Sequence, residues 1–235
     1  MKLFEQNLWG VYSHVYDGLL AFWPYQNLLQ LVLGEADIHD GDRILDLGCG
    51  TGNFLNDAYK SKPEITATGV DLSPAMLKAA RRKLAQRVND NVLDLVNEDI
   101  MTFLEAQPDK KFDRIISINV LYTIRDQESL WRELLRTLKP GGKITVTTSI
   151  RTGSLPIIKE HLGHKPFISL LRPKLVVVFF IDALINLMGN TGKFTFADEQ
   201  QLRGAVNAAG GKWGESQFCY GGSNEGVNIL FSVSR

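Results

Sequence analysis

The sequence predicts an α/β protein built on a doubly wound, mostly parallel sheet of seven strands, with an antiparallel strand at its C-terminal end. Three observations predict this fold. Short apolar segments alternate with amphipathic helical segments between residues 43 and 149, and such alternation is typical of a parallel sheet with helices on both faces. A glycine-rich loop follows the first apolar segment. Two late segments of alternating polarity, 212–220 and 227–234, predict a terminal strand pair.

The individual elements follow from periodicity and from local start and stop signals. Ser73 is predicted to cap a helix that has Pro74 at its first position, because both residue types fit those places. The Lys-Pro-Gly-Gly segment 139–142 predicts a stop and a turn. A helix capped by Thr195 or Asp198 precedes the last two strands. The predicted strands are 43–48, 65–70, 92–97, 112–118 and 143–149, and the predicted helices between them are 51–61, 74–88 and 127–138.

The chain is predicted to form one domain with four parts. Residues 1–40 form an N-terminal helical lid, in which apolar residues recur every three or four positions until Pro24 ends the first of two helices. Residues 41–149 form the ligand-binding core. Residues 150–193 form a helical insertion after strand 5, because so long and apolar a segment is not a loop. Residues 194–235 supply the last helix and the strand pair.

The composition argues against several classes of protein. The 235 residues carry 26 basic and 26 acidic side chains, so no global field attracts nucleic acid or an acidic membrane. Cys49 and Cys219 show no spacing typical of zinc sites, and we expect two reduced thiols in a cytoplasmic protein. The first nine residues lack a long apolar core and a small-residue cleavage site, so no signal peptide is expected.

One apolar segment raises the question of a membrane. Residues 175–188 read LVVVFFIDALINLM, which is too short to cross a bilayer and carries Asp182 near its middle. We predict a buried helix or the wall of an apolar pocket. The alternative is contact with a lipid or membrane surface, where a short amphipathic apolar segment can dock.

Three acidic residues stand at predicted strand ends beside the glycine loop 48–52. Asp46 lies in strand 1, Asp71 ends strand 2 and Asp99 follows strand 3. In a doubly wound sheet, ligands bind beyond the carboxyl ends of the strands. The loop and the three carboxylates are therefore expected to line one cleft.

The loop by itself fits two kinds of cofactor. A dinucleotide site also has a glycine loop, with an acid about 20 residues further on, and Asp71 lies 19 residues after Gly52. However, Asn53 replaces the third glycine of that pattern. Asp46 would repel a pyrophosphate but attract the α-ammonium of a methionine group. The sequence therefore favours a ligand that is cationic at one end and has no phosphate.

Together these motifs resemble the class I (Rossmann-like) S-adenosylmethionine-dependent methyltransferases of the small-molecule type. The resemblance covers residues 43–149, with a further C-terminal match over 194–234. The first motif of that family resembles ILDLGCGTGNFL, and the second resembles GVDLSPAMLKAA. The adenine-site motif is similar to NEDI, the fourth motif to FDRIISINVLY, and the segment entering strand 5 to LKPGGKITVTT.

The resemblance implies roles for the matching residues. Gly48, Cys49 and Gly50 would pass their backbone beside the methionine part of S-adenosylmethionine. Asp71 would accept hydrogen bonds from both ribose hydroxyls, and Asp99 would accept one from the adenine amine. The product would be S-adenosylhomocysteine. The other residues expected at the cofactor are Tyr12, Tyr16, Asp46, Asn53, Leu72, Met76, Ile100, Asn119, Val120 and Tyr122.

The reaction implied is an in-line displacement at the methyl carbon, which needs a general base only for a poorly acidic acceptor. The candidate bases are His14, Tyr16, His161 and His164. The two histidines of HLGH at 161–164 have no evident carboxylate partner, so no metal site is expected.

The acceptor is predicted to be a small molecule. The sequence Asn-Val-Leu-Tyr at 119–122 has the usual small-molecule form. Similar enzymes close the site with an N-terminal Tyr-Asp pair, which Tyr16 and Asp17 resemble. An acceptor site between this lid and the apolar insertion suits a quinone, a polyketide-like compound or a lipid. The alternatives are a non-enzymatic S-adenosylmethionine sensor or pseudoenzyme partner, and a nicotinamide-dependent oxidoreductase. The oligomeric state is left open.

Overall fold

A computed structural model describes residues 16–150, 155–171, 173, 196–222 and 226–235. They form a seven-stranded sheet with strand order β3-β2-β1-β4-β5-β7-β6. The first five strands pair in parallel, and β7 is antiparallel to both β5 and β6. The predicted α/β fold is confirmed. The strands are β1 (Arg43–Leu47), β2 (Thr66–Val70), β3 (Leu93–Val96), β4 (Phe112–Ile118), β5 (Leu138–Ser149), β6 (Lys212–Cys219) and β7 (Asn228–Ser234).

Helices cover both faces of the sheet, and each face has its own apolar core. On one face, Leu28 and Val32 pack with Ile44 of β1 and Leu55. On the other face, the fully buried Trp131 packs with residues of β1, β4 and β7. The α-helices are α1 (Trp23–Ala36), α2 (Asn53–Ser61), α3 (Pro74–Lys83), α4 (Ala85–Asn89), α5 (Ile100–Glu105), α6 (Gln127–Thr137), α7 (Leu155–His164) and α8 (Glu199–Ala208).

The predicted helix caps are observed at two places. Ser73 Oγ accepts a hydrogen bond from the Met76 N–H at 3.4 Å, with Pro74 in the first turn of α3. Asp198 forms a reciprocal capping box with Gln201 at the start of α8. Each cap satisfies first-turn N–H groups that have no partner within the helix. Thr195, the other predicted cap, lies outside the described residues.

Three predicted element bounds are wrong. Residues 16–21 form a 3-10 helix, and Pro24 lies in the first turn of α1, where its missing N–H costs nothing. The single helix predicted for 74–88 is two helices that break at Leu84, whose side chain packs beside Gly52. The predicted turn at 139–142 belongs to β5, which pairs irregularly with β4 at this point.

The insertion after β5 is helical where it is described. It contains α7 and a 3-10 helix, Phe167–Leu171. The segment 175–188 lies outside the described residues. No helix within the described ranges is long and apolar enough to span a bilayer. Cys49 and Cys219 are both free and buried, and a cytoplasmic location stays a prediction.

Candidate cofactor and acceptor site

The glycine loop follows β1 and is hydrogen bonded to the end of β2. The N–H groups of Gly48 and Cys49 both donate to the Val70 carbonyl, at 2.8 and 3.1 Å. Gly48 has a φ of +68°, and a Cβ at this position would lie 2.3 Å from Val120 Cγ2. Only glycine meets both demands, because other residues are strained at positive φ and would overlap Val120. The glycine therefore lets Val120 pack directly on the backbone of the loop.

Asp71 connects the end of β2 to this loop. Its Oδ2 accepts from the Gly50 N–H at 2.9 Å, and its Oδ1 accepts from the Ser73 N–H at 2.8 Å. Burial raises the pKa of the Asp71 carboxyl, and these two hydrogen bonds partly oppose that rise. Each carboxylate oxygen can accept more than one hydrogen bond. Asp71 can therefore take two hydroxyl donors while it holds the loop.

Asp46 is a buried carboxyl group with an unsatisfied oxygen. It is 2% exposed, and its Oδ2 has no hydrogen-bond partner among the described residues. Burial, and then the charge of Asp71, raise the pKa of Asp46 to about 8. A buried carboxylate is costly unless a cation or a donor pairs with it. A hydrogen-bond donor or a cation, such as an ammonium, is therefore the kind of group that would pair with this oxygen.

Asp99 begins α5 at the end of β3. Its Oδ1 accepts from the Met101 and Thr102 N–H groups, at 3.0 and 3.4 Å. The carboxylate is thus a helix cap, and this cap leaves its Oδ2 unused. Ile100 beside it is half-buried. At the end of β2, Leu72 is half-buried and Met76 is buried.

Asn119 follows β4 with a φ of +58°. Its N–H donates to the Thr147 carbonyl at 2.8 Å. Its Oδ1 accepts from Thr147 Oγ1 at 3.4 Å and from the Asn228 amide. Asn119 is therefore fixed by β5 and β7, which the sequence did not indicate. Nearby, the buried ring of Tyr122 stacks on Phe196, with the ring centroids 5.7 Å apart.

The N-terminal segment lies over the glycine loop. A Cβ at Gly50 would lie 3.7 Å from Tyr16 Cε1, so the Tyr16 ring covers the loop. The Tyr25 hydroxyl donates to the Tyr16 hydroxyl at 3.4 Å. Asp17 Oδ1 accepts from Thr51 Oγ1 at 2.6 Å and from Lys83 Nζ at 2.9 Å. The predicted residues Tyr12 and His14 lie outside the described residues.

Asn53 connects the loop to α1 and α3 through its side-chain amide. Its side chain is buried behind the loop, where Nδ2 donates to the Tyr25 hydroxyl at 3.3 Å and Oδ1 accepts from Lys83. Both ends of the amide are satisfied within the protein. Asn53 therefore supports the loop, and its place at the cofactor stays a prediction.

His161 is a structural residue, which argues against its role as a base. It is fully buried, and its Nδ1 accepts from the Trp23 N–H at 3.1 Å. Its Nε2 lies 2.7 Å from Ser169 Oγ, and that hydroxyl donates to the Pro166 carbonyl. Ser169 must therefore accept from Nε2–H, which fixes the neutral tautomer. Nδ1 therefore joins α7 to the start of α1, and Nε2 joins α7 to the 3-10 helix 167–171.

The two histidines of HLGH make separate contacts. The ring of His164 stacks on Trp23, with the centroids 3.6 Å apart, and His161 is engaged elsewhere. Within the ranges that the structure describes, no group of three or more His, Cys, Asp or Glu side chains could hold a metal ion.

Comparisons with known proteins agree with this geometry. A family model described as a methyltransferase domain matches residues 38–168. An uncharacterized methyltransferase of Bacillus subtilis is 34% identical over 126 residues, which are 54% of this chain and 66% of that protein. A demethylmenaquinone methyltransferase of Staphylococcus saprophyticus is 27% identical over 208 residues, 87% of this chain and 84% of that protein.

A solved structure extends the likeness to the fold. Geranyl diphosphate C-methyltransferase from Streptomyces coelicolor, in complex with Mg2+, geranyl diphosphate and S-adenosyl-L-homocysteine, has a TM-score of 0.64. It shares 13% identity, and the match covers 89% of this chain and 79% of that one.

Proposed function

Because the chain belongs to the class I S-adenosylmethionine-dependent methyltransferases, we propose that it transfers a methyl group from S-adenosylmethionine to a lipophilic or amphipathic small molecule. The family model covers more than half of the chain and includes the loop and all three strand-end acids. S-adenosylmethionine supplies a methyl group that is already activated on a sulfonium. The protein's contribution is therefore to bind, orient and exclude water.

The unsatisfied oxygen of Asp46 is the observation that carries this proposal. In the bound state the Asp46 carboxylate would pair with the α-ammonium, directly or through water. Asp71 would hold the ribose hydroxyls, and Asp99 would accept from the adenine amine through its remaining oxygen. The pyrophosphate of a dinucleotide would disfavour the ionised form of Asp46, whereas an ammonium favours it. The donor and acceptor set therefore supports S-adenosylmethionine over NAD.

Two features support a lipophilic acceptor. The demethylmenaquinone methyltransferase match spans 87% of the chain and so extends beyond the cofactor core. The insertion brings Ile157 and Leu170 against the apolar core on the α1 face of the sheet. Among quinone, polyketide-like and lipid acceptors, we favour a quinol ring. Its carbon and oxygen atoms are electron-rich, so the reaction can proceed without a strong general base.

Contact with a lipid surface is the second part of the proposal. The outer side of the 3-10 helix exposes Phe167, Ile168 and Leu171, at 64%, 68% and 55% of their surface. On its inner side, Ser169 is hydrogen bonded to His161, and Leu170 packs against the apolar core. Three large apolar side chains held outward in five residues suit insertion at a bilayer surface. This segment precedes residues 175–188, for which a buried helix or a pocket wall was predicted and lipid contact was the alternative.

A methyl-transfer assay tests the acceptor. The protein is incubated with radiolabelled S-adenosylmethionine and with a reduced demethylated naphthoquinol in detergent, a total lipid extract or a water-soluble metabolite fraction. We expect label in the quinol and lipid arms and none with Asp71→Ala. Label confined to the water-soluble arm would contradict a lipophilic acceptor. If the protein binds cofactor but labels nothing, the sensor alternative replaces the enzyme.

A further inference from the structure

The ammonium of Lys83 meets three acceptors from three separate segments. Nζ donates to Asp17 Oδ1 at 2.9 Å, to Thr51 Oγ1 at 3.3 Å and to Asn53 Oδ1. An ammonium has three donors, so this set uses all of them. Lys83 stands at the end of α3, yet it joins the N-terminal 3-10 helix, the glycine loop and the first residue of α2.

Together with two further hydrogen bonds, these contacts form a closed ring of linked side chains around the glycine loop. From Lys83, one route reaches the N-terminal segment directly through Asp17. The other passes through the amide of Asn53 to the Tyr25 hydroxyl and then to Tyr16. Because Asp17 and Tyr16 are neighbours in sequence, both routes end on the segment that covers Gly50.

The ring combines exposed and buried members. Asp17 is 41% exposed at its side chain and Lys83 is 20% exposed, so solvent screens their ion pair and the pair alone is weak. Thr51 is fully buried and Asn53 nearly so. Removal of the ammonium would leave these buried oxygens with fewer donors, which favours a shift of the loop or the segment.

We propose that Lys83 is a positioning residue that holds Tyr16 over the glycine loop and thereby sets the affinity for the cofactor. The proposal rests on the S-adenosylmethionine site described above and adds to it a residue outside the cleft's motifs. If the covering segment is closed for only a fraction of the time, the apparent dissociation constant rises by the inverse of that fraction. Loss of Lys83 would lower the closed fraction.

The test measures S-adenosylhomocysteine binding by isothermal titration with the full chain. Lys83→Met keeps the aliphatic stem. Arg82→Met on the same helix is the matched control, since Arg82 is exposed and, among the described residues, hydrogen bonds to the Lys78 carbonyl alone. We expect Kd to rise about fivefold or more for Lys83→Met, because a partly screened ion pair contributes about that factor. The Kd of Arg82→Met should stay within about twofold of the wild-type value.

A double-mutant cycle separates positioning from general stability. Asp17→Asn should raise Kd as well, and the double variant should bind no worse than the weaker single variant, because both break the same ring. In turnover, KM for S-adenosylmethionine should rise with kcat nearly unchanged. Lys83→Arg, which keeps the charge, should recover part of the affinity.

The positioning role of Lys83 can be overturned by two results. An unchanged Kd for Lys83→Met, or losses that multiply in the double variant, would overturn the proposal. If Lys83→Met does not fold, Asp17→Asn and Lys83→Arg decide it, and wild-type affinity in both overturns it. If wild type itself binds no S-adenosylhomocysteine, it is the proposed function that fails.

Discussion

The Gly50 N–H donates a 2.9 Å hydrogen bond to Oδ2 of Asp71, so the carboxylate that we propose for the ribose hydroxyls also shapes the glycine loop. The same side chain holds the Ser73 N–H through Oδ1, and it therefore fixes the loop after β1 and the start of α3 together. Loss of Asp71 should therefore remove the proposed acceptor for the ribose hydroxyls and also disturb the glycine loop.

Asp71→Ala should abolish measurable S-adenosylhomocysteine binding, with a Kd at least about 100-fold higher, since two hydrogen bonds to a charged group are lost. Isothermal titration measures the change. Asp94→Ala, which removes an exposed carboxylate of β3, is the control and should bind like wild type. Equal affinity for Asp71→Ala would mean that the end of β2 does not contact the cofactor.

Asp46 should make the free protein less stable as the pH rises. Its pKa is raised from 3.8 to about 8, so between these values the folded state keeps a proton that the unfolded chain releases. The stability that this group contributes is complete below about pH 4 and is lost as the pH rises to about 8. Urea unfolding at pH 5 and pH 8 should show a larger loss for wild type than for Asp46→Asn. Parallel losses in the two proteins would show that the carboxyl group titrates normally.

Cofactor binding should change the protonation of Asp46. An ammonium beside the carboxyl group favours its charged form, so binding near pH 7 should release a proton. Titrations of S-adenosylhomocysteine in buffers of different ionisation enthalpy measure that release. We expect it to disappear in Asp46→Asn, together with part of the affinity. Equal proton release by the variant would assign the proton to another group.

Gly48→Ala should be strongly destabilising because of Val120. The positive φ of Gly48 costs a side-chain-bearing residue about 1–2 kcal/mol, and the overlap with Val120 Cγ2 adds to this cost. Val120→Ala in the same chain should recover the steric part and leave the backbone part. Urea unfolding of the two single variants and the double variant measures this coupling. Strictly additive losses would contradict the packing of Val120 on the loop.

His161→Ala should lower stability while the folded protein keeps its turnover number. It leaves the Trp23 N–H without an acceptor and opens a cavity, for a cost of about 2–4 kcal/mol. His164→Ala, on the exposed part of α7, should cost less. Urea unfolding and kcat, corrected for the folded fraction, measure the two effects. A loss of kcat by orders of magnitude in folded protein would restore His161 as a base.

Phe167→Ser with Ile168→Ser should weaken binding to lipid vesicles without a change in cofactor affinity. Both side chains are exposed, so stability should change little. Co-sedimentation with phosphatidylglycerol–phosphatidylcholine vesicles measures the effect, and Leu155→Ser provides an exposed apolar control on α7. Equal sedimentation of all variants would remove this surface from the proposal.

The sequence predicted the parts of the site that depend on local pattern. The positions of Gly48, Asp71 and Asp99 follow from strand ends and short motifs, and the Ser73 cap follows from its neighbours. Asp99 shows the limit of this reasoning, because an acid after a strand can cap a helix and face a ligand at once.

The remaining contacts join residues that are far apart in sequence. Lys83 reaches Asp17 across 66 positions, and Asn228 reaches Asn119 across 109. No periodicity or motif marks such pairs. The burial of His161 and its bond to the Trp23 N–H could not be predicted for a related reason, since both depend on how α7 packs against α1.

Isothermal titration of the wild-type chain with S-adenosylmethionine, S-adenosylhomocysteine and NAD tests the central claim most directly. We predict saturable binding of both adenosyl compounds at one site per chain and no binding of NAD at the same concentrations. Tight binding of NAD, with no heat from either adenosyl compound, would contradict the account.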